Sequence, residues 1–356
     1  MFDVAIVGLG PAGSTLARLL PNHLSVIAID KKQPDGDAGF HKPCGGLLAP
    51  DAQKVLAGFD LTLPTSVLVS PQIFSVRAID MASRLVRHYQ RFYVNMDRHR
   101  FDQWLRSLIP HRVEVLDDTV CARIERVTGG WRLTCRSASD NRPETVVQAR
   151  WLVGADGANS AVRRAVAPNA SPRHYTAIQQ WFTDRHPNPF YSSIFDPATT
   201  DCYAWGLSKD DGFIFGGAFP SPNARQRYDS LVDRVAAFGF DLHDPVRTEA
   251  CLVLRPQGPA SFTPSAGGAL LIGEAAGFIS PSSLEGISYA MDSARRLASV
   301  FADGPRNVAA RYAQSTWPIQ AKLTAKHLKE PFMYNKTLRR GVMRSGLTAV
   351  SLTGPA

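Results

Sequence analysis

Six residues near the N-terminus, Gly8-Leu9-Gly10-Pro11-Ala12-Gly13, constrain this chain more than any other segment. They follow Val4-Ala5-Ile6-Val7, an apolar run of the kind that forms a strand buried on both faces. They precede Ser14 to Leu20, which reads as a helix stopped by Pro21-Asn22. Ser25 to Ile29 reads as a second strand, and Asp30 ends it. Each glycine of such a strand–turn–helix has its own reason. Gly8 permits the tight turn, Gly10 lets the backbone approach a pyrophosphate, and Gly13 lets the helix pack on the strand. The first amides of the helix then face the anion. Asp30, 22 residues beyond Gly8, can accept hydrogen bonds from a ribose diol and would repel a ribose phosphate. The spacing predicts a dinucleotide site and leaves FAD and NAD both open.

The remainder of the chain is long enough for a second domain, at 356 residues. Hydrophobic residues make up 44% and charged residues 20%, which supports a packed core and excludes disorder, collagen and coiled coil. Thr119 to Val127 and Trp131 to Arg136 flank Gly129-Gly130, a hairpin signal, and Val146 to Val153 follows as a further strand. From 176 to 219 the texture changes to short aromatic-rich segments: Thr176–Thr183, Phe190–Phe195, Cys202–Ser208 and Phe213–Phe219. These predict an antiparallel sheet in a separate layer. Leu270 to Gly273 reads as a buried strand, and Ile287, Met291, Ala294, Leu297 and Phe301 share one face of a helix.

Composition narrows the partners. Lys and Arg total 40 against 31 Asp and Glu, a formal charge of +9, which favours an anionic partner. A phosphorylated cofactor, an acidic lipid surface and nucleic acid all qualify, but no motif supports nucleic acid. Five cysteines form no C-x-x-C pair and leave one over, as expected of reduced thiols in a cytoplasmic protein. No apolar run is long enough for a transmembrane helix, residues 1–20 lack the basic start of a signal peptide, and the nine histidines show no metal spacing.

Two later segments favour FAD. Val153-Gly154-Ala155-Asp156-Gly157-Ala158-Asn159-Ser160 and Leu271-Ile272-Gly273-Glu274-Ala275-Ala276-Gly277 each follow a strand. With the first glycine turn and Arg98-His99-Arg100-Phe101-Asp102-Gln103-Trp104-Leu105, they resemble the FAD fingerprints of the para-hydroxybenzoate hydroxylase superfamily. Within it, Lys42-Pro43-Cys44-Gly45-Gly46 resembles the KPCGG element of geranylgeranyl reductases. The run His41 to Pro50, with Gln179-Gln180-Trp181 and Glu274 to Tyr289, is similar to the CbrA-type flavoproteins, and that likeness covers nearly the whole chain.

The resemblance implies a set of FAD contacts. Ala12 and Gly13 would face the pyrophosphate and Asp30 the adenosine ribose, with Gly8, Gly10, Pro11 and Lys31 also among the cofactor-binding residues. Arg98 would reach the phosphate or ribityl side, and Val120 would offer backbone to the adenine. Asp156, Gly157 and Gly277 belong to the other two fingerprints. Glu274 stands where the family usually has Asp, near the ribityl chain. Gly286 and Ile287 would start a helix whose amides face the flavin N1–C2=O edge. Cys44 and Gly45 would lie close to the isoalloxazine, where the Cys44 thiol could give a proton; the other reading of Cys44 is a small buried thiol. Tyr203-Ala204-Trp205 resembles the start of a channel-lining motif, and Trp181 joins these two as candidate lining. The family continues that motif with Phe-Pro, whereas this chain has Leu207-Ser208; an ordinary aromatic strand face is the other reading.

The expected fold is α/β (α+β): a Rossmann-like FAD-binding domain from 1–66, 96–172 and 265–305, an antiparallel substrate domain from 67–95 and 173–264, and C-terminal helices over 306–356. The expected activity is reduction of a carbon–carbon double bond in an apolar or isoprenoid-like substrate, with non-covalent FAD and NAD(P)H as a transient donor. A monooxygenase and a flavin-binding resistance or regulatory protein without turnover are the alternatives. In the C-terminus, Lys322, Lys326, Lys329, Lys336, Arg339, Arg340 and Arg344 accompany one acid, Glu330. Leu323, Leu328, Phe332, Met333, Leu338, Val342 and Met343 are interleaved with them. This reads as a solvated basic helix packed on the FAD domain, with peripheral membrane contact as the alternative.

Overall fold

The computed structural model describes residues 1–33, 42–140, 142–170, 172–183 and 190–350. His41 of the run noted above lies outside them. The chain divides into two compact units, Met1–His41 with Phe101–Arg173 and Leu254–Ala325, and Lys42–Arg100 with His174–Val253 and Lys326–Ala356. Elements are numbered along the whole chain.

The first unit is built on β1 (Phe2–Val7), β2 (Val26–Ile29), β6 (Glu114–Leu116), β7 (Thr119–Val127), β8 (Gly130–Ser137), β9 (Thr145–Gly154), β15 (Ser265–Ala266) and β16 (Ala269–Leu271). The sheet order is β15-β16-β9-β1-β2-β6, with the β7–β8 hairpin added through β8 on β9. β1 is parallel to β2 and β9, and β16 is parallel to β9. Alternate residues of β1 feed two cores. Val4 and Ile6 pack with Leu16 and Ala17 of α1 (Pro11–Leu19) and Leu297 and Phe301 of α6 (Ile287–Ala302). Ala5 and Val7 pack with Trp131, Leu133 and Leu152. This is why the run is apolar throughout. The first helix starts at Pro11, earlier than the expected Ser14, because Pro11 fits the first helical position without an amide hydrogen.

The second unit holds β4 (Ile73–Asp80), β5 (Leu85–Asn95), β10 (His174–Phe182), β11 (Tyr191–Phe195), β12 (Ala204–Lys209), β13 (Gly212–Pro220), β14 (Arg247–Leu254) and β17 (Ala349–Val350). Their order is β14-β10-β13-β12-β11-β4-β5-β17, with β3 (Leu47–Leu48) on β5. The four strands expected between 176 and 219 pair antiparallel, β10 with β13, β13 with β12 and β12 with β11, and the sheet becomes mixed only where β11 runs parallel to β4. One face is covered by α5 (Ala224–Val235), whose Tyr228, Leu231 and Val235 pack on Ile178, Phe182, Phe213, Phe215 and Phe219.

The units divide the chain at other points than the sequence reading does. Residues 42–66 cluster with the second unit, where β3 pairs with β5 through Leu47–Asn95 and Leu48–Val94. The C-terminal helices are shared rather than packed as one body on the first unit. The Tyr312 hydroxyl of α7 (Val308–Ser315) donates to the Leu271 carbonyl at 3.0 Å, and Leu323 of α8 (Trp317–His327) is buried in the first unit. By contrast, α9 (Glu330–Tyr334) and α10 (Lys336–Ser345) belong to the second unit. There the Arg339 guanidinium meets Asp80 at 2.7 Å, and the Met343 carbonyl accepts from Arg87. The expected apolar stripe is broken: Leu323 and Met343 are buried, while Leu328, Phe332, Leu338 and Val342 are exposed.

Both side chains of the Arg339–Asp80 pair are buried, so removing one leaves the other charge uncompensated. Arg339→Met is expected to cost about 3–5 kcal/mol in urea unfolding. It should also open α9–α10 to limited proteolysis. A variant as stable and protease-resistant as the wild type would show that the pair does not dock this segment.

Candidate functional site

The first unit brings its three glycine-bearing loops to one sheet edge. Val7 is in register with Ile29 and Gly154, and Leu271 with Gly154, so β1, β2, β9 and β16 end together. Residues 8–13, Asp30, residues 155–160 and residues 272–277 therefore emerge side by side at the carboxyl ends of the strands. This is where open α/β sheets bind ligands.

The glycines of the first loop play unequal parts. Gly8 has φ +96°, and a Cβ there would lie 2.6 Å from the Ala155 carbonyl oxygen. A Cβ on Gly13 would lie 1.8 Å from the Gly8 carbonyl oxygen, so the fold itself demands glycine at both. Among the described residues, a Cβ on Gly10 would meet nothing within 4 Å. Pro11 and Ala12 open α1 and are buried, with Ala12 facing Gly273. The Asp30 carboxylate accepts from the Leu9 amide and, at 2.7 Å, from the Lys32 amide. It thereby ties β2 to the glycine loop while keeping acceptor capacity. Lys31 follows at the surface. Lys32 pairs with Asp102 of the Arg98 to Leu105 element at 2.8 Å. Val120 lies in β7, next to Thr119, whose amide donates to the Asp30 carbonyl at 2.9 Å.

Several residues carried over by resemblance have structural work of their own. The Asp156 carboxylate caps α4 (Ala161–Val166), accepting from Ser160 Oγ at 2.5 Å and from the amides of Ala161 at 2.7 Å and Val162 at 3.2 Å. Burial pushes its pKa up from the ordinary carboxylate value. Gly157 takes φ +75° in that turn. Gly277, at φ +83°, is required because a Cβ would lie 2.3 Å from the Ser261 carbonyl oxygen. Glu274 Oε1 accepts from the Leu254 amide at 2.9 Å, so one carboxylate oxygen is held by the protein itself. Gly286 precedes α6, which begins at Ile287, and the Glu285 carboxylate holds the Ser288 amide and hydroxyl. Arg98 opens α3 (Arg98–Ser107) among residues of the second unit.

The second unit collects the remaining candidates on the sheet face opposite α5. Along β12 the pleat puts Trp205, Leu207 and Lys209 on one side. The Trp205 Nε1–H donates to Gln179 Oε1 at 3.1 Å, and Trp181 Nε1–H to Glu249 Oε2 at 2.8 Å. The Arg247 guanidinium lies over the Trp181 ring at 4.4 Å. Tyr203 packs on Trp205 and Phe195, and Phe195 on Tyr334. Burial raises the Tyr203 and Tyr191 phenols well above the ordinary value. Gly45 lies over Trp205 and Leu207, and Cys44 Sγ accepts from the Gly46 amide at 3.4 Å.

Sequence reasoning passed over Lys209. This buried ammonium donates to the Gly46 carbonyl at 3.1 Å, Asn95 Oδ1 at 2.6 Å and the Met96 carbonyl at 2.7 Å. Gly46 has φ +60°, and its missing Cβ makes room for both Met96 and Lys209. Burial pushes the Lys209 amine down to about 7, against the pull of Cys44, Asp97 and Asp210. The signal was present: Tyr203, Trp205, Leu207 and Lys209 follow the two-residue period of one strand face.

Comparison with known proteins fixes the lineage. No family model matches the chain. Protein CbrA of Escherichia coli O157:H7 is 50% identical over 349 residues, 98% of each chain. Protein CbrA of Shigella dysenteriae serotype 1 is similar to the same extent. Among solved structures, a geranylgeranyl bacteriochlorophyll reductase-like protein from Thermoplasma acidophilum has a TM-score of 0.69 at 19% identity, covering 98% of this chain and 88% of its own. PqsL, a probable FAD-dependent monooxygenase from Pseudomonas aeruginosa, has a TM-score of 0.69 at 18% identity, covering 96% and 99%. The flavin-dependent brominase Bmp2 reaches 0.72 at 18%, covering 98% and 93%. Half-identity over nearly the full length places this chain in the CbrA family, on the fold that those three proteins share.

Proposed function

We propose that this protein is an FAD-dependent oxidoreductase that reduces a carbon–carbon double bond in an apolar, isoprenoid-like substrate. The observation that carries the cofactor reading is Gly10. Its two fellow glycines are required by backbone contacts, but among the described residues Gly10 borders open space at the N-terminus of α1. A glycine that the fold does not need, beside the first amides of a helix, suits a pyrophosphate. Bound there, FAD supplies hydride transfer from the reduced flavin.

The residues of this chain then have distinct tasks. The α1 amides hold the pyrophosphate, Asp30 accepts from the ribose, and the first turn of α6 offers amides to developing negative charge. The aromatic face with Tyr203 and Trp205 suits an apolar substrate, which buries well against rings. Cys44, in the loop that Lys209 fastens, is the proposed proton donor. NAD(P)H is the proposed transient electron source, and no second glycine fingerprint in the sequence suggests a lasting nicotinamide site.

The test is anaerobic. Chemically reduced holoenzyme is incubated with an isoprenoid alcohol or diphosphate, and products are read by mass. Gain of two hydrogens without oxygen supports reduction. Product that appears only with oxygen and carries one added oxygen atom would replace the proposal with the monooxygenase reading, the activity named for PqsL on the same fold.

A further inference from the structure

Two of the five cysteines face each other across the β7–β8 hairpin of the first unit. Cys121 and Cys135 are register partners in this antiparallel ladder. Their Sγ atoms are 3.7 Å apart. Residues directly opposite across such a ladder have Cα atoms about 4.5–5.5 Å apart, within the roughly 4.4–6.8 Å that a disulfide spans. Closing the remaining sulfur gap therefore calls for side-chain rotation and no rebuilding of backbone. The register shifts between Cys121 and Arg123, a bulge that increases local twist. Among the described strands β7 pairs only with β8, so it is an edge strand, and Cys121 is partly exposed while Cys135 is buried.

We propose that Cys121 and Cys135 form a reversible intrachain disulfide under hydroperoxide, a redox-modification site built into the nucleotide-binding unit. Its chemistry does not depend on the flavin reading. Either thiol can donate the S–H···S bond, and the sulfur that accepts it is the one favoured as thiolate. Cys121, the partly exposed member, is the sulfur that peroxide reaches first. The Cys121 thiolate attacks one oxygen of hydrogen peroxide, the O–O bond breaks, and the hydroxide released takes a proton to become water. Cys121 is left as a sulfenic acid. The Cys135 sulfur attacks the Cys121 sulfur, the S–S bond forms, and a second water leaves. In total two thiols lose two electrons and two protons, and one peroxide becomes two waters.

The location gives the bond a consequence. Thr119, two residues before Cys121, donates its amide to the Asp30 carbonyl, and the Asp118 amide donates to the Lys32 carbonyl at 3.1 Å. A disulfide that fixes β7 to β8 therefore stiffens the strand that holds the Asp30 corner.

The test uses the full chain, reduced, freed of reductant, and treated with equimolar hydrogen peroxide. Remaining thiols are alkylated, and the protein is digested without reduction. Titratable thiols should fall from five to three, a peptide pair linked through 121 and 135 should appear, and dithiothreitol should restore both thiols. Cys121→Ser and Cys135→Ser should each abolish the linked pair. Peptide mapping of the wild type decides the matter even if a variant folds poorly. Cys121 and Cys135 both remaining alkylatable while Cys44, Cys202 or Cys251 reacts would overturn the proposal. Sulfinic acids without a link, or links only between molecules, would do the same.

Discussion

Gly10→Val is expected to fold normally and to purify without flavin. Gly10 sits at φ −73° and ψ −168°, a conformation open to any residue, and its Cβ direction is clear of atoms of the described residues. The added side chain should therefore leave stability close to that of the flavin-free wild type. If a pyrophosphate belongs in that space, flavin retention should fall by well over tenfold, a loss of more than about 1.4 kcal/mol. Gly13→Val should behave in the opposite way. Its Cβ is directed at the Gly8 carbonyl, so α1 must leave β1, at a cost beyond the ~1–3 kcal/mol of ordinary overpacking. Circular dichroism should report a damaged fold irrespective of flavin. Denaturing release of the cofactor, identified as FAD or FMN, completes the measurement. A Gly10→Val protein that keeps its full complement of flavin would remove the basis of the cofactor assignment.

Lys209→Met should change both the stability of the second unit and its dependence on pH. The substitution keeps the length of the stem but withdraws the donor from Asn95 Oδ1, the Met96 carbonyl and the Gly46 carbonyl. The Gly46 carbonyl still accepts from the Met96 amide, so the loss falls mainly on the other two oxygens. A buried acceptor left unpaired costs about 1–3 kcal/mol. The pH dependence has a definite sign. In the folded protein Lys209 titrates at about 7, against 10.5 for an ordinary lysine, so the unfolded chain binds more protons between those values. The lysine's contribution to stability therefore rises with pH across that window and is lost again as pH falls toward about 7. The difference between wild type and Lys209→Met in urea should grow by at most about 1.4 kcal/mol per pH unit. Parallel curves from pH 7 to 10 would mean that the ammonium is not held in a desolvated site.

Much of the first unit can be read from residues 1–30 alone. A strand apolar at every position, three glycines at fixed spacing and an acid at the end of the next strand leave few ways to fold. Each demand is local: a tight turn, a close helix–strand approach and two-sided burial act over a few residues. The β7–β8 hairpin was legible too, with the turn one residue earlier than expected: Val127 pairs with Gly130, so Thr128 and Gly129 make the loop and Gly130 begins β8.

What tertiary structure decided lies in contacts between segments far apart in the chain. Sequence spacing could not say that Asp156 would cap α4, or that Glu274 would hold the Leu254 amide. Both carboxylates looked equally free to meet a ligand. Residues 42–66 join the second unit because β3 finds its partner in β5, a pairing that no local propensity encodes. The parallel pairing of β11 with β4 is likewise set by which strands come together, not by their aromatic content. Arg339 read as one cation of a solvated stripe until Asp80, 259 residues away, gave it a buried partner. Lys209 and the Cys121–Cys135 pair belong to the same class. A charge or a thiol is defined chemically by its neighbours, and those neighbours arrive only when the sheets assemble.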